Sequence, residues 1–121
     1  MKVLIADDDP GMRSILQTFI SMMDHDADLA ENGTKALEML EKKSYDVVIT
    51  DGFMPEMTGF ELCRQILKRH PRIYIVGITG SSKLHEFQEA GAHAYYYKPI
   101  QFDQLRQALG RFDFVQHATA V

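Results

Sequence analysis

The chain has 121 residues, which suits one domain and leaves no room for two, and 45% of them are hydrophobic, enough to build a single core. A formal net charge of -4, with lysines and arginines scattered along the chain, disfavours a nucleic-acid-binding surface. The chain has one cysteine, Cys63, which excludes an internal disulfide, and no run approaches the ~20 apolar residues of a membrane span. We therefore expect a cytoplasmic protein that makes no direct contact with nucleic acid or membrane.

Short apolar runs alternate along the chain with segments of helical periodicity, which is the pattern of βαβ units around a parallel sheet. Strands are predicted at residues 3–6, 26–30, 47–50, 73–78 and 94–97. Five helices are predicted. The first begins at residue 10, the second ends near residue 42, and the third runs from residue 60 to the His70-Pro71 pair. The fourth covers residues 82–90, and the last includes the apolar residues up to 112. We expect one doubly wound α/β domain of flavodoxin-like (βα)5 type, with a five-stranded parallel sheet in the order 2-1-3-4-5. Residues from about 2 to 113 should form the ordered core, and 114–121 a patternless tail.

Polar side chains follow four of the five predicted strands. Asp7 and Asp8 follow the first, Asp51 ends the third, Thr79 follows the fourth and Lys98 follows the fifth. Because the carboxyl ends of parallel strands share one edge of a sheet, these groups should converge there. Close carboxylates repel one another by up to ~4 kcal/mol per pair at an effective dielectric near 20, which implies a divalent cation between them. Hard oxygen ligands, with no histidine or cysteine at hand, favour Mg²⁺.

Asp51 is the candidate reactive group at this edge. A carboxylate can attack phosphorus and form an acyl phosphate, while Lys98 and Thr79 contact the phosphoryl oxygens. Each residue alone also has a structural interpretation, as a turn residue, a helix cap or a solvated charge. Asp9, which directly precedes Pro10, is best explained as a helix N-cap. The coincidence of these groups at successive strand ends favours a phosphate site.

The same residues lie within motifs that resemble a known family. The motifs are LIADDDPGMR, VVITDGFMPEMTGFEL, VGITG and GAHAYYYKPI. Their arrangement resembles the receiver domain of two-component response regulators over about residues 2–113. The shared features are an acidic pair, the pattern D-x-x-MP-x-M-x-G and a K-P pair at these offsets. The resemblance implies that Asp51 is the phosphoacceptor. It also implies that Asp7, Asp8 and Asp51 hold Mg²⁺ together with the backbone carbonyl of Phe53.

The resemblance further implies a conformational switch. Thr79 would be the switch hydroxyl, Tyr95 the switch aromatic side chain and Lys98 the phosphate-binding lysine. In receivers, phosphorylation remodels the face formed by helix 4, strand 5 and helix 5, and partner affinity follows as a population shift. On the sequence alone, Tyr95 is equally explained as one more strand aromatic beside Tyr96 and Tyr97.

Two features depart from the family pattern. Only eleven residues separate Thr79 from Gly91, about one helical turn fewer than expected, so helix 4 should be short or displaced and its partner face altered. Two residues past the acceptor, receivers often carry a polar side chain that positions the attacking water, and here that residue is Phe53. Phenylalanine cannot position water, which predicts slow loss of the phosphoryl group. The alternative is that Phe53 points away and only packs.

Three classes of function are open. The leading hypothesis is a phosphorylation-activated switch that receives a phosphoryl group from a phosphohistidine of a sensor histidine kinase or histidine phosphotransfer protein. It would act on a downstream protein target or a fused output domain, and would turn over no separate substrate. The second is a pseudo-receiver that signals by constitutive protein contacts, against which the intact acidic residues argue. The third is an aspartyl-phosphate phosphohydrolase, which the spacing of Asp7 and Asp9 superficially matches.

The sequence leaves assembly open. The chain is expected to be a stand-alone regulator or a receiver from a longer protein, and a monomer or weak dimer. Phe112, Phe114 and Val115 are candidate dimer contacts on the last helix, although such residues more often cover the core or belong to a tail.

Overall fold

The structure is a computed structural model that describes residues 1–119, and the side chains of residues 1–112. Strands and helices alternate through all of it, as the periodicity predicts. The strands are β1 (Lys2–Ala6), β2 (Asp26–Ala30), β3 (Val47–Asp51), β4 (Tyr74–Thr79) and β5 (Ala94–Tyr97). The helices are α1 (Pro10–Met22), α2 (Gly33–Lys42), α3 (Gly59–Arg69), α4 (Leu84–Ala90) and α5 (Phe102–Thr119). None of the helices within the described residues is both long and apolar enough to pass through a membrane.

The five strands form one parallel sheet in the order β2-β1-β3-β4-β5, which confirms the predicted topology. Every residue of β3 and β4 is buried, as expected for strands covered on both faces, whereas the polar β2 lies at an edge. The register pairs Ala6 of β1 with Thr50 of β3, and Asp51 with Ile78 of β4. The polar residues that follow these strands are therefore brought to the same level of one sheet edge.

Alternate residues of each strand point to opposite faces, so the sheet supports two cores. Leu4 on β1 contributes to the core beneath α2, α3 and α4, and Ile5 contributes to the core beneath α1 and α5. Cys63, on α3, is buried in the first core, and burial raises the pKa of its thiol to about 11. It is a packing residue there.

The residues directly before the first three helices provide side-chain caps. Asp9 accepts a hydrogen bond from the Gly11 amide at 3.0 Å, directly before Pro10 at the first helical position, which confirms the cap interpretation. Asn32 and Thr58 cap α2 and α3 in the same way. These caps fix where each helix leaves the sheet edge that carries the acidic residues.

Helix α4 is the shortest of the five, with seven residues, and this confirms the shortened helix 4. It begins at Leu84 rather than residue 82 and has no side-chain cap hydrogen bond. Phe87, which is fully buried, holds it on the sheet: a Cβ on Gly77 of β4 would lie 2.4 Å from the Phe87 Cγ atom. Phe87 therefore packs directly over a glycine, and the glycine is needed for the helix to lie where it does.

Helix α5 continues to Thr119, so residues 114–119 extend a helix instead of forming the predicted patternless tail. The chain contains neither glycine nor proline after Gly110, so nothing in its backbone chemistry stops the helix. Phe112 is buried against the α1/α5 core, as expected for a residue that covers the core. The side chains of Phe114 and Val115 lie outside the described part of the chain, as do residues 120 and 121 altogether.

Candidate functional site

Three carboxylates converge at the carboxyl edge of the sheet, where β1 and β3 lie side by side. Asp7, Asp8 and Asp51 each offer an oxygen, and these three atoms lie within 4.8 Å of one another. Asp7 is 1% exposed and Asp51 7%, whereas Asp8 is exposed to solvent. The site is thus a largely buried acidic pair with a third carboxylate on its solvent side.

Lys98, at the end of β5, lies against the buried pair. Its Nζ atom is 3.2 Å from Asp51 Oδ2 and 3.5 Å from Asp7 Oδ2. The position of Lys98 is fixed by its own amide, which donates to the Thr79 carbonyl at 2.9 Å. The ammonium therefore joins the ends of β1, β3 and β5.

Burial and the charges of neighbouring groups shift the pKa of Asp7, Asp51 and Lys98. Burial raises the pKa of Asp7, although the Asp9 amide, which donates to its Oδ1 at 2.9 Å, and Lys98 oppose the shift. Burial also raises the pKa of Asp51, and the charge of Asp7 adds to this effect. Burial disfavours the charged form of Lys98, but the combined attraction of Asp51 and Asp7 raises its pKa overall. One ammonium does not balance three carboxylates.

This donor set fits a hard divalent cation. The three carboxylates outnumber the ammonium by two charges, all the candidate ligand atoms are oxygens, and Asp8 opens to solvent. Mg²⁺ prefers oxygen ligands and retains waters, so such a half-open carboxylate site suits it. Phe53, whose carbonyl is the fourth predicted ligand, lies two residues past Asp51 in the loop that connects β3 to α3.

The loop after Asp51 is held tightly against α3. A Cβ on Gly59, the first residue of α3, would lie 1.8 Å from the Asp51 carbonyl oxygen, and the Gly59 amide donates to the Gly52 carbonyl at 2.8 Å. Only glycine allows this approach. Gly59 therefore has a steric role in shaping the site.

Thr79 is fully buried, and its hydroxyl is turned toward Ser81. Its Oγ1 atom lies 3.1 Å from Ser81 Oγ and accepts a hydrogen bond from the Ser81 amide at 3.3 Å. A Cβ built on Gly52 would lie 3.2 Å from the same hydroxyl, so Thr79 lies next to the residue that follows Asp51. Sequence reasoning missed Ser81, which also accepts from the Lys83 amide at 3.1 Å. A serine two residues past a strand-end threonine is a turn signal that would have identified it.

Sequence reasoning also missed Arg13, in the first turns of α1. Its Nη1 atom donates to the Asp7 carbonyl at 2.7 Å, which ties α1 to the end of β1. Nothing in the one-dimensional pattern distinguishes this arginine from a solvated charge.

Tyr95, the predicted switch aromatic, lies on β5, three residues before Lys98. It is partly buried, pairs with Gly77 in the β4–β5 register and packs against the core beneath α4. Phe53 is 48% exposed, and its ring packs edge-on against Phe60 at 5.3 Å. Phe60 in turn packs against Phe87 of α4 at 4.6 Å. A row of three aromatic rings thus connects the loop after Asp51 with α4.

The family described as the response regulator receiver domain matches residues 3–110 of this chain. The chain belongs to this family. Among curated proteins, the receiver is 32% identical over 120 residues to the sensor protein EvgS of Escherichia coli (strain K12), which covers 97% of this chain and 10% of EvgS. The chain thus spans about a tenth of the length of this relative, and 24% of that of the response regulator protein PilR of Pseudomonas aeruginosa.

Solved structures agree with the fold of this receiver. The chemotaxis response regulator CheY4 of Vibrio cholerae superposes with a TM-score of 0.84 and 28% identity, covering 92% of this chain and 97% of CheY4. The response regulator protein TrrA of Thermotoga maritima, in complex with Mg²⁺-BeF, gives a TM-score of 0.85 and 30% identity over the same shares. Receiver domains of two-component systems are phosphorylation-activated signalling switches, and they are generally not enzymes in the usual sense.

Proposed function

We propose that Asp51 of this receiver accepts a phosphoryl group with the help of Mg²⁺, and that the modification changes the surface formed by α4, β5 and α5. The observation that carries the proposal is the contact of Lys98 with Asp51 at 3.2 Å inside a group of three carboxylates. A buried carboxylate beside an ammonium can take up a phosphoryl group whose oxygens the ammonium then contacts. A structural ion pair alone would not need Asp8 and Asp7 beside it.

Each of these residues has a different role in the phosphoryl transfer. An oxygen of Asp51 attacks phosphorus, the bond from phosphorus to the donor's imidazole nitrogen breaks, and the donor histidine leaves as neutral imidazole after gaining a proton. Lys98 contacts the phosphoryl oxygens, and Asp7, Asp8 and Asp51 would hold Mg²⁺ together with the Phe53 carbonyl. When bound, the ion offsets negative charge on the phosphoryl oxygens. Catalysis in such a site consists of positioning and electrostatic stabilisation.

The switch begins at Thr79. Its hydroxyl, which contacts Ser81 in this structure, is close enough to Gly52 to exchange that contact for one with a phosphoryl oxygen on Asp51. Because Ser81 also accepts from the Lys83 amide, release of Thr79 would loosen the turn in front of α4. Tyr95 would then repack on the same face. A partner that prefers the repacked face shifts the population toward it.

The donor class follows from the family. The phosphoryl group would come from a phosphohistidine of a sensor histidine kinase or a histidine phosphotransfer protein. The output would be a downstream protein target or an output domain on the same polypeptide, and the only reactions would be phosphorylation and dephosphorylation of Asp51.

Acetyl phosphate with Mg²⁺ tests the proposal. Wild-type protein should gain the mass of one phosphoryl group, the Asp51→Asn variant should gain none, and EDTA should prevent the gain. Absence of an adduct on the wild type would favour a pseudo-receiver that acts by constitutive contacts. Continuous release of phosphate from a small phosphate ester would indicate a phosphohydrolase instead.

A further inference from the structure

A cavity lies at the opposite edge of the sheet from Asp51. It has a volume of about 500 Å³ and is bounded by the carboxyl-terminal ends of α2 and α3 and by the loops that lead from them into β3 and β4. Because the strands are parallel, these loops meet at the amino edge, a full strand length from the acidic site. The volume is within the range of pockets that hold small organic ligands.

The floor of this cavity is apolar, and its rim carries more positive than negative charge, because Lys42, Lys43 and Arg72 line it together with one carboxylate, that of Glu41. Leu40, Tyr45 and Ile73 form buried parts of the wall, and Lys42 and Arg72 are exposed around it. Neither of these two cations makes an ion pair with any of the residues whose side chains the structure describes. A local concentration of unpaired positive charge on a protein of net charge -4 points to an anionic ligand.

His70 lines the same cavity and carries an unsatisfied donor or acceptor. Its Nε2 atom is buried and has no hydrogen-bond partner within the described part of the chain. The nearest charged oxygen, on Glu41, is 3.6 Å away, beyond hydrogen-bond distance, and the same oxygen is shared with Arg69 at 3.4 Å. Leaving a buried polar atom without a hydrogen bond costs about 1–3 kcal/mol, so a ligand that gives this nitrogen a partner would gain part of that free energy.

Helix capping explains only part of this arrangement. Cations in the last turn of a helix interact favourably with its carbonyl groups, which accounts for Lys42 on α2 and for Lys68 and Arg69 on α3. It does not account for a cavity with an apolar floor, nor for the unpaired nitrogen of His70. Arg72 lies three residues beyond the end of α3 and is not part of that helix.

We propose that this cavity binds a small organic anion, with a phosphate or carboxylate group on an apolar body. The anionic group would lie between Lys42 and Arg72, and it would accept a hydrogen bond from His70 Nε2 once this side chain, which is 24% exposed, turns the nitrogen away from Glu41 and toward the cavity. The apolar body would cover Leu40, Tyr45 and Ile73, and its burial adds affinity in proportion to the apolar area removed from water. The site is independent of the phosphorylation of Asp51.

Titrations with phenyl phosphate, benzoate and benzyl alcohol separate the contribution of the anionic group from that of the apolar body. EDTA is present so that no metal ion occupies the acidic site. Backbone amide resonances of Ser44 and Ile73 should shift saturably with phenyl phosphate or benzoate, whichever anionic group the site prefers, and much less with benzyl alcohol. Inorganic phosphate, which lacks the apolar body, should bind more weakly than phenyl phosphate. Arg72→Ala should weaken the preferred anion about tenfold, as expected for a lost charge-assisted contact.

Matched variants distinguish specific contacts in this cavity from a general electrostatic attraction of anions to the protein. Lys68→Ala removes the same charge from the last turn of α3 without touching the cavity and should leave the affinity unchanged. His70→Leu should weaken binding, whereas His70→Gln, which keeps a donor, should restore part of it. No saturable shift with either anion up to about 10 mM, which corresponds to binding too weak to matter, would overturn the proposal. Equal losses in Lys68→Ala and Arg72→Ala would also overturn it.

Discussion

Asp51→Asn should make the metal-free protein more stable, although it removes the central residue of the site. In wild type, Asp51 is buried within 4.8 Å of two other carboxylates, with one ammonium as counter-charge. Asparagine has nearly the same shape and no charge. The substitution therefore relieves repulsion with Asp7 and Asp8 and gives up the attraction to Lys98.

The balance of these effects can be worked from the distances. At an effective dielectric near 20, each repulsion at a separation of 4.8 Å amounts to about 3.5 kcal/mol, and the attraction to Lys98 at 3.2 Å to about 5 kcal/mol. The net relief is about 2 kcal/mol, and the smaller cost of burying an amide than a carboxylate acts in the same direction. We expect Asp51→Asn to raise the free energy of unfolding by about 2 kcal/mol.

Urea unfolding at pH 7 in EDTA, and again with saturating Mg²⁺, measures this directly. Burial raises the pKa of Asp51, so the folded protein holds the proton more tightly than the unfolded chain, and wild type loses stability as the pH rises above the ordinary value of 3.8. The advantage of the variant should thus be present at pH 7 and fade toward pH 4. Mg²⁺ should stabilise wild type more than the variant. A variant less stable than wild type in EDTA would refute the reasoning, and Asp26→Asn, an exposed carboxylate on β2, is the charge-matched control.

Three further predictions concern other parts of the receiver. Phe53→Asn should speed loss of phosphate from Asp51 on the order of tenfold by positioning water, and unchanged release of phosphate would leave Phe53 a packing residue only. Gly77→Ala places a Cβ 2.4 Å from Phe87 and should lower the free energy of unfolding by about 1–3 kcal/mol. Gly110→Ala, whose Cβ meets open space within α5, should raise the free energy of unfolding by about 1 kcal/mol. Equal effects of the two substitutions in urea unfolding would contradict this. The ring of His93 stacks on Tyr74 at 4.9 Å, and this partial loss of hydration lowers the pKa of His93 below its ordinary 6.5, although the residue as a whole is exposed. Its Nδ1 accepts from the Ile75 amide at 2.9 Å, so protonation opposes folding and stability should fall as the pH drops below 6.5. His93→Gln should reduce that loss between pH 7 and 5, and an equal loss in the variant would argue against a role for His93.

Much of the fold follows from local pattern. The β-branched run of β3 predicts a strand buried on both faces, and the end of that strand places Asp51 at the sheet edge whatever the details of the loops. Parallel topology then brings Asp7 beside it, because β1 and β3 are neighbours. The site's position was predictable for this reason.

Contacts between side chains and turns were not predictable in the same way. Helix α4 starts two residues later than its apolar spacing suggests, because the Ser81 hydroxyl accepts from the Lys83 amide and holds a turn there. The helical extension of α5 to Thr119 was missed because periodic apolar residues, which end near Phe112, identify the buried part of a helix and not its full length. The cavity at His70 arises from two loops that are distant in sequence, so no spacing rule reports it.

The central claim is that a phosphoryl group on Asp51 changes α4 and β5. The most direct measurement is a backbone amide spectrum of the wild-type receiver before and after phosphorylation with acetyl phosphate and Mg²⁺. The account predicts shifts at Gly52, at Ser81 and Lys83, and through α4 and β5, all absent in Asp51→Asn. An adduct on Asp51 that shifts only the neighbouring loop and leaves α4 and β5 unchanged would contradict it.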